Sequence, residues 1–376
     1  MTNNKKIILA IETSCDETSA AILRATRGKL ELLSNVVSSQ IDIHKQFGGV
    51  VPEVAARQHV QNFLPVVREA LEVAKMTPKK IDLLATVTGP GLITSLIVGT
   101  EAAKALSFAW GKPLLNVNHL YAHLAANFLQ PIKFPAVGLI VSGGHTELVL
   151  LKDYWQHKKI GQTLDDAAGE AFDKVAKLLD LGYPGGPIVS AEAEKFSPPY
   201  QGGVRGGWPE KNSATAGKPL RPAGTSPWKG EERICLPRPM LTSDDFNFSF
   251  SGLKTAVLYT VRKMKSEEVK TRTPEICYEF QQAVIEVLVI KAMKAAKIFN
   301  AKTVIMAGGV AANKKLRENL RQAVEVSGRK FLVPEFKLCT DNAGMVAVAA
   351  YYLSQKKKVG LDNYQKIAVD PNWELN

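Results

Sequence analysis

The same local pattern opens both halves of this chain, and that repetition limits the available folds more than any other feature. Residues 7–11 form a short apolar run, 12–19 are polar, and 20–23 are apolar again. The pattern returns at 136–141, followed by Ser142, Gly143, Gly144, His145 and Thr146, then by residues 147–151. Each reads as strand, polar turn, strand. Two such hairpins point to an internal duplication, although few residues are identical between them. At about 150 residues per domain, 376 residues suit two packed lobes. They are placed at 1–133 and 134–376.

Apolar residues at three- and four-residue spacing predict helices at 52–74, 94–110, 119–128, 165–179, 273–299, 314–326 and 342–352. Short β-prone runs at 83–88, 114–117, 303–307 and 330–333 alternate with them. This alternation predicts an α/β fold with largely parallel sheets. One segment interrupts it. Residues 198–233 hold six Pro and seven Gly in 36 positions, with Val204 and Leu220 the only branched aliphatics. Such a stretch buries too little apolar surface to offset chain entropy, so a disordered or inserted loop is expected at 198–235. Its two ends, Pro199-Tyr200-Gln201-Gly202-Gly203 and Pro227-Trp228-Lys229-Gly230, mirror each other, which suggests an inserted sequence element. Six Lys or Arg against three acidic residues leave an RNA-touching role open for it.

The formal charge is +12 and the pI about 9.4. A basic chain favours a polyanion such as nucleic acid, because each phosphate it neutralises releases counterions. A soluble protein that happens to be basic is equally compatible. Cys15, Cys235, Cys277 and Cys339 are scattered with no C-x-x-C pair, so neither a zinc knuckle nor a disulfide framework is indicated. A reducing cytoplasm fits. Residues 1–6 are polar and lack the long apolar stretch of a signal peptide. The most apolar region, 83–110, is broken by Gly89-Pro90-Gly91, Glu101 and Lys104. It reads as strand, turn and helix, and no membrane association is expected.

Chemistry-bearing residues gather at the turns. His119 and His123 stand four apart on an expected helix, share one face and can chelate one metal ion. An ordinary pair of surface histidines has the same spacing. Leu120 occupies the position where a zinc protease needs its Glu base, so a protease reading lacks its key group. Asp341, in Cys339-Thr340-Asp341-Asn342, follows a strand and opens a helix, where strand ends meet the cleft of an α/β fold. A plain helix N-cap would also explain it.

Met306-Ala307-Gly308-Gly309-Val310, continuing to Asn313, is strand, Gly-Gly turn, helix. Paired glycines let a ligand approach the backbone, and Asn313 can both donate to and accept from an adenine or ribose. Tight strand–helix turns often need glycine for φ alone. Ser142-Gly143-Gly144 and Tyr183-Pro184-Gly185-Gly186 are further glycine loops. The helix expected from Asp165 starts with carboxylates. Its Asp173 suits a ribose hydroxyl or a substrate amine, while acidic residues there also complement the helix dipole. Residues 246–255 alternate aromatic and polar side chains and read as a strand delivering Lys254 to a phosphate or RNA, or as a core edge.

Taken in order, these blocks resemble one family, the tRNA threonylcarbamoyladenosine transferases, called TsaD in bacteria. The matching residues are Ile11-Glu12-Thr13-Ser14-Cys15-Asp16-Glu17-Thr18, His44 with Gly49 to Glu53, Gly89-Pro90-Gly91-Leu92, and Asn118-His119 with His123. They continue with Val141-Ser142-Gly143-Gly144-His145-Thr146, Asp165 to Asp173, Tyr183-Pro184-Gly185-Gly186 and Phe248 to Lys254. Met306-Ala307-Gly308-Gly309-Val310 and Cys339-Thr340-Asp341-Asn342 close the series. Together they run in family order over almost all of the chain outside the Pro/Gly segment. Between Ser197 and Cys235 the chain departs from the family, whose members have a much shorter connection there.

The resemblance implies a duplicated α/β fold of the actin/Hsp70/sugar-kinase type, with two lobes around a nucleotide-binding cleft. It implies that His119, His123 and Asp341 hold one divalent metal ion, Fe(2+) or Zn(2+). Ile140, Val141, Ser142, Gly143 and Gly144 would form the substrate loop, with Asp173, Gly186 and Asn313 as further substrate and nucleotide contacts. The implied reaction moves a threonylcarbamoyl group from threonylcarbamoyl-AMP to the N6 amine of adenosine 37, beside the anticodon, in tRNAs reading ANN codons. AMP is released. The implied partners are tRNA, a TsaB-like paralogue, a TsaE-like ATPase and a separate enzyme that makes the adenylate.

On this reading Glu12 or Asp16, on the first hairpin, assists the proton transfer. Two other functions stay open at the level of sequence. A carbamoyltransferase with a small-molecule acceptor would share the fold, the metal pair and the adenylate chemistry. A non-catalytic actin-like ATPase would tolerate loss of both histidines.

Overall fold

The computed structural model describes residues 5–196, 233–356 and 358–375. Apart from 233–235, the loop expected at 198–235 lies outside the described residues. The first half begins with β1 (Lys6–Glu12), β2 (Glu17–Thr26) and β3 (Lys29–Ser39). Then come α1 (Ile41–His44), α2 (Pro52–Val73), β4 (Leu83–Gly89), α3 (Ile93–Trp110), β5 (Leu114–Asn118) and α4 (His119–Ala125). The second half repeats the plan with β6 (Ala136–Val141), β7 (Thr146–Leu151) and β8 (His157–Gln162). It continues through α5 (Ala168–Leu178), α6 (Gly185–Glu194), α7 (Ser251–Arg262), α8 (Ser266–Ile298), β9 (Thr303–Ala307), α9 (Lys314–Val326), β10 (Lys330–Leu332) and α10 (Ala343–Lys356).

The strands form two five-stranded sheets, ordered β3-β2-β1-β4-β5 and β10-β9-β6-β7-β8. Each is a three-stranded meander extended by two parallel strands, so the two halves share one topology. The sheets are therefore mixed and not largely parallel. Short loops inside each meander permit only antiparallel return, while the helical crossovers to β4, β5, β9 and β10 permit parallel pairing. β1 reads as an unbroken apolar run because Ile7 through Glu12 are buried, with cover on both faces. β3 and β8 gave no clear alternation in sequence. Both lie at sheet edges with half-exposed polar positions, so their apolar content is thin.

Three expected elements differ in detail. Residues 246–255 do not form a strand. Phe248 makes a single bridge to Thr163, and α7 starts at Ser251. The helix expected from Asp165 starts at Ala168, because the Asp165 carboxylate instead accepts from the backbone N–H of Phe250 and of Ser251 at the start of α7. α8 starts earlier than residue 273, at Ser266, and runs through Pro274.

α10 returns to the first sheet. Its buried face, Ala343 through Ala350, joins Ile8, Ala10, Leu115, Val117 and residues of α4 in one apolar cluster. A division after residue 133 assigns this helix to the second lobe, whereas its packing is against the first sheet. That return brings Asp341, just before α10, to the two imidazoles of α4. Among the described residues, no helix is long and apolar enough to cross a membrane.

Candidate metal and nucleotide site

α4 starts at the C-terminal end of β5, where Asn118 caps it by accepting from the N–H groups of Leu120 and Tyr121 at 2.9 and 3.1 Å. The helix is buried, and its 3.6-residue period puts His119 and His123 on one face. Their ring centroids are 4.6 Å apart. Asp341 Oδ1 lies 3.1 Å from His123 Nε2 and 3.5 Å from His119 Nε2. One ligand atom from each residue fits within a 4.8 Å group.

These donors fit a metal ion better than a hydrogen-bonded cluster. Both ring nitrogens of His123 are buried without a hydrogen-bond partner, so the close approach to Asp341 is not aligned as a hydrogen bond. Two imidazoles and one carboxylate form a mixed N/O set that suits Fe(2+) or Zn(2+). The helix N-cap reading of Asp341 does not hold. Asn342 Oδ1 caps α10 through Met345 N at 3.1 Å, leaving Asp341 to face the histidines.

Charge is organised around this triad. Burial opposes a proton on His119, but Asp341 and Glu12 outweigh it and hold its pKa up at about 9. Burial likewise opposes an ionised Asp341, yet the imidazoles hold its pKa down at about 2. Burial and the neighbouring His119 push His123 down. His145, at the tip of the β6–β7 hairpin, is held down to about 4 by burial and by both histidines. It is a third imidazole beside the site, and a neutral one. The sequence offered only its position after Gly143 and Gly144, and no chemistry was assigned to it there.

Glu12 ends β1 and is fully buried. Its Oε2 lies 3.1 Å from His119 Nδ1, and its Oε1 accepts from Ser14 N at 2.6 Å. Ser14 Oγ also reaches His119 Nδ1, at 3.1 Å. Asp16 sits in the same turn and is nearly buried. It lies close enough to the second lobe to add to the rise in the Asp173 carboxyl pKa, which burial mainly causes.

The substrate-loop residues divide into two kinds. Ile140 and Val141 bury their side chains in the core, so there they can offer a ligand only backbone. Ser142 N donates to His145 O at 2.8 Å, and the Gly143 and Gly144 side that a Cβ would occupy is open space. Gly186 and Gly309 are open in the same way. Gly308 requires glycine, because its φ is +90° and a Cβ would collide with the Val141 carbonyl. Asp173 Oδ1 accepts from Gly185 N at 2.7 Å and so sets the start of α6 beside Gly186. Asn313 is heavily engaged. Its Oδ1 caps α9 through Leu316 N, and its Nδ2 donates to Gln281 Oε1 at 2.9 Å and Ser190 Oγ at 3.0 Å.

A family described as TsaD, tRNA N6-adenosine threonylcarbamoyltransferase, matches residues 31–218 and 210–348. The chain belongs to this family. The two matched stretches meet inside the Pro/Gly-rich segment, where an insertion was expected. A tRNA N6-adenosine threonylcarbamoyltransferase of Thermosipho africanus is 46% identical over 371 residues, covering 98% of this chain and 100% of the relative. One from Syntrophomonas wolfei is 47% identical over 350 residues, covering 93% of this chain and 92% of the relative. Among solved structures, HypF of T. kodakarensis shares the fold with a TM-score of 0.57 at 15% identity, covering 97% of this chain and 50% of HypF. Another HypF structure, in a phosphate- and nucleotide-bound form, has the same TM-score at 13% identity, covering 94% of this chain and 47% of that one. Family membership makes the chain a transferase of tRNA modification, and the duplicated two-lobe fold of the actin type agrees with it.

Proposed function

We propose that the chain transfers the threonylcarbamoyl group of threonylcarbamoyl-AMP to the N6 amine of the adenosine beside the anticodon. The reading is carried by the convergence of His119, His123 and Asp341 next to an open glycine loop, in a chain of the threonylcarbamoyltransferase family. His119, His123 and Asp341 would hold a divalent ion, Fe(2+) before Zn(2+). Bound there, such an ion supplies Lewis-acid stabilisation of negative charge on substrate oxygens.

The chain's own groups do the rest. The open Cβ positions of Gly143 and Gly144 let a substrate approach the loop backbone closely, where its N–H groups would donate to the phosphate or to the carbonyl oxygen as charge develops. Gly186 and Gly309 leave room for the nucleotide, with Asp173 and Asn313 fixing the elements that carry them. The N6 amine attacks the carbamoyl carbon, the bond from that carbon to the phosphate oxygen breaks, and AMP departs with the electron pair. Glu12, beside His119, or Asp16, further along the same turn, accepts the N6 proton. A TsaB-like paralogue and a TsaE-like ATPase complete the system, in the cytoplasm.

The test is His119→Ala. Metal content and transfer to tRNA should disappear together. Full transfer by a metal-free His119→Ala protein refutes the assignment.

A further inference from the structure

Four residues apart on α9, two guanidinium groups stack on two aromatic rings. Arg317 Cζ lies 4.0 Å from the centroid of Phe336, and Arg321 Cζ lies 5.5 Å from that of Phe331. An i, i+4 spacing puts both arginines on one face of the helix. The result is a stripe in which cations and rings alternate, with Lys314 exposed at the start of the same helix.

Phe336 is the unusual member. It is 55% exposed, although a ring of that size normally gains from burial. It is also held in place. Arg317, which backs it, donates through Nε to Ala311 O at 2.6 Å and through Nη2 to Pro334 O at 2.8 Å and Cys339 Sγ at 2.9 Å. A guanidinium with three fixed acceptors cannot swing away, so the ring is a supported platform with the rest of its surface open to solvent. The same arginine ties the Gly308–Asn313 turn to the loop before Asp341. Phe336 precedes Asp341 by five residues, a reach of at most about 17 Å of chain.

A rigid exposed ring within a basic stripe, near the reacting centre, matches the requirements of single-stranded RNA. Bases pulled out of a loop lose their stacking neighbours, and an aromatic side chain replaces them. Resting on the tRNA-modifying reading above, we infer that this stripe receives the single-stranded anticodon loop of the substrate tRNA and that Phe336 stacks on one of its bases. Arg321 and Lys314 follow the backbone by charge. The stacking contact carries little salt dependence, whereas the cationic contacts carry most of it.

The experiment measures the dissociation constant of an unmodified tRNA transcript over a series of salt concentrations. It compares the parent with Phe336→Ala, Phe336→Leu, Phe336→Tyr and Arg321→Ala, and records metal content for each. Loss of one base stack should weaken binding about tenfold in Phe336→Ala and in Phe336→Leu. The slope against salt should stay unchanged in both, and Phe336→Tyr should bind like the parent. Arg321→Ala should reduce the slope by about 0.7, the share of one phosphate contact on a single strand. Leucine keeps apolar packing against Arg317 but has no π-face, so its retention of metal separates stacking from damage to the Asp341 loop. Parent-like binding by Phe336→Ala, or restored binding in Phe336→Leu, overturns the inference and points to a packing role or a protein partner. A parent that binds no tRNA, and modifies none when threonylcarbamoyl-AMP and the TsaB-like and TsaE-like proteins are supplied, overturns the functional reading, and this inference with it.

Discussion

Glu12 Oε2 lies 3.1 Å from His119 Nδ1, on the opposite edge of the imidazole from Asp341. The carboxylate accepts a hydrogen bond from Nδ1–H and so directs Nε2 toward the triad. Groups in this position usually change metal affinity by about 10- to 100-fold when altered. Glu12→Gln should therefore raise the dissociation constant for Zn(2+) by about tenfold or more while the fold is retained, measured by competition with a chelator. Unchanged affinity would show that Ser14 Oγ alone orients the ring.

Asn118 caps α4 and also donates through Nδ2 to the carbonyl of Trp373 at 3.0 Å. The segment around Trp373 is itself fixed, since Asp370 N donates to Thr88 O at 2.8 Å and Leu375 is buried in the core shared with α4. Asn118→Ala removes both the cap and the tie and should cost about 2 kcal/mol in denaturant unfolding. Asn118→Ser keeps a capping hydroxyl but cannot reach Trp373, so about half of that loss should remain. Equal stability for serine and parent would show that the tie contributes nothing.

A chain of hydrogen-bonded imidazoles runs under the first hairpin. Val51 N donates to His44 Nδ1, so His44 Nε2–H donates to Gln40 Oε1 at 3.2 Å. Gln40 Nε2 and Thr18 Oγ1 face His59 Nδ1, which leaves His59 Nε2–H to donate to the carbonyl of Cys15 at 3.0 Å. Burial pushes His59 down, in keeping with a neutral ring. Gln can replace the Nε2 donor and Asn only the Nδ1 acceptor. His59→Gln should keep most of the transfer rate, and His59→Asn should lose about tenfold, because the turn carrying Glu12 to Asp16 loses its anchor. Equal rates for the two variants would remove His59 from the positioning of that turn.

Asp165 accepts from Phe250 N at 2.7 Å, Ser251 N at 3.2 Å and Ser251 Oγ at 2.7 Å, and so caps α7 from a distant part of the chain. Burial raises its pKa, but these donors together with Ser249 Oγ outweigh it, and the net shift is downward. A depressed carboxyl stabilises the fold above the ordinary Asp range, near pH 4, and loses that contribution as pH falls through its lower folded value. Asp165→Asn should cost about 1 kcal/mol at pH 7. The difference from the parent should shrink below about pH 4. A pH-independent difference would assign the effect to packing.

The chain's linear pattern determined the alternation of apolar strands with helices, the repeated hairpin and the four-residue spacing of His119 and His123. Periodicity is a local property, set by which side of a strand or helix faces the core, so it is visible without a structure. Edge strands β3 and β8 were not visible, because half of each faces solvent and their apolar rhythm fades. Sheet direction was misread as a consequence: the two hairpins were legible, but the unseen β3 and β8 each add a second antiparallel pair, which leaves the sheets mixed. The capping of α7 by Asp165 escaped as well, since nothing local to Asp165 distinguishes the helix it starts from the one it caps.

Only tertiary structure decided which groups work together. α10 could have stayed with the second sheet, but its buried face matches the cluster formed by Ile8, Leu115, Val117 and α4. That packing carries Asp341 across more than two hundred residues of sequence to His123, and it places Arg317 between Ala311 and Cys339. Contacts of this kind arise from burying complementary apolar faces, a property of assembled elements and not of any single stretch of chain.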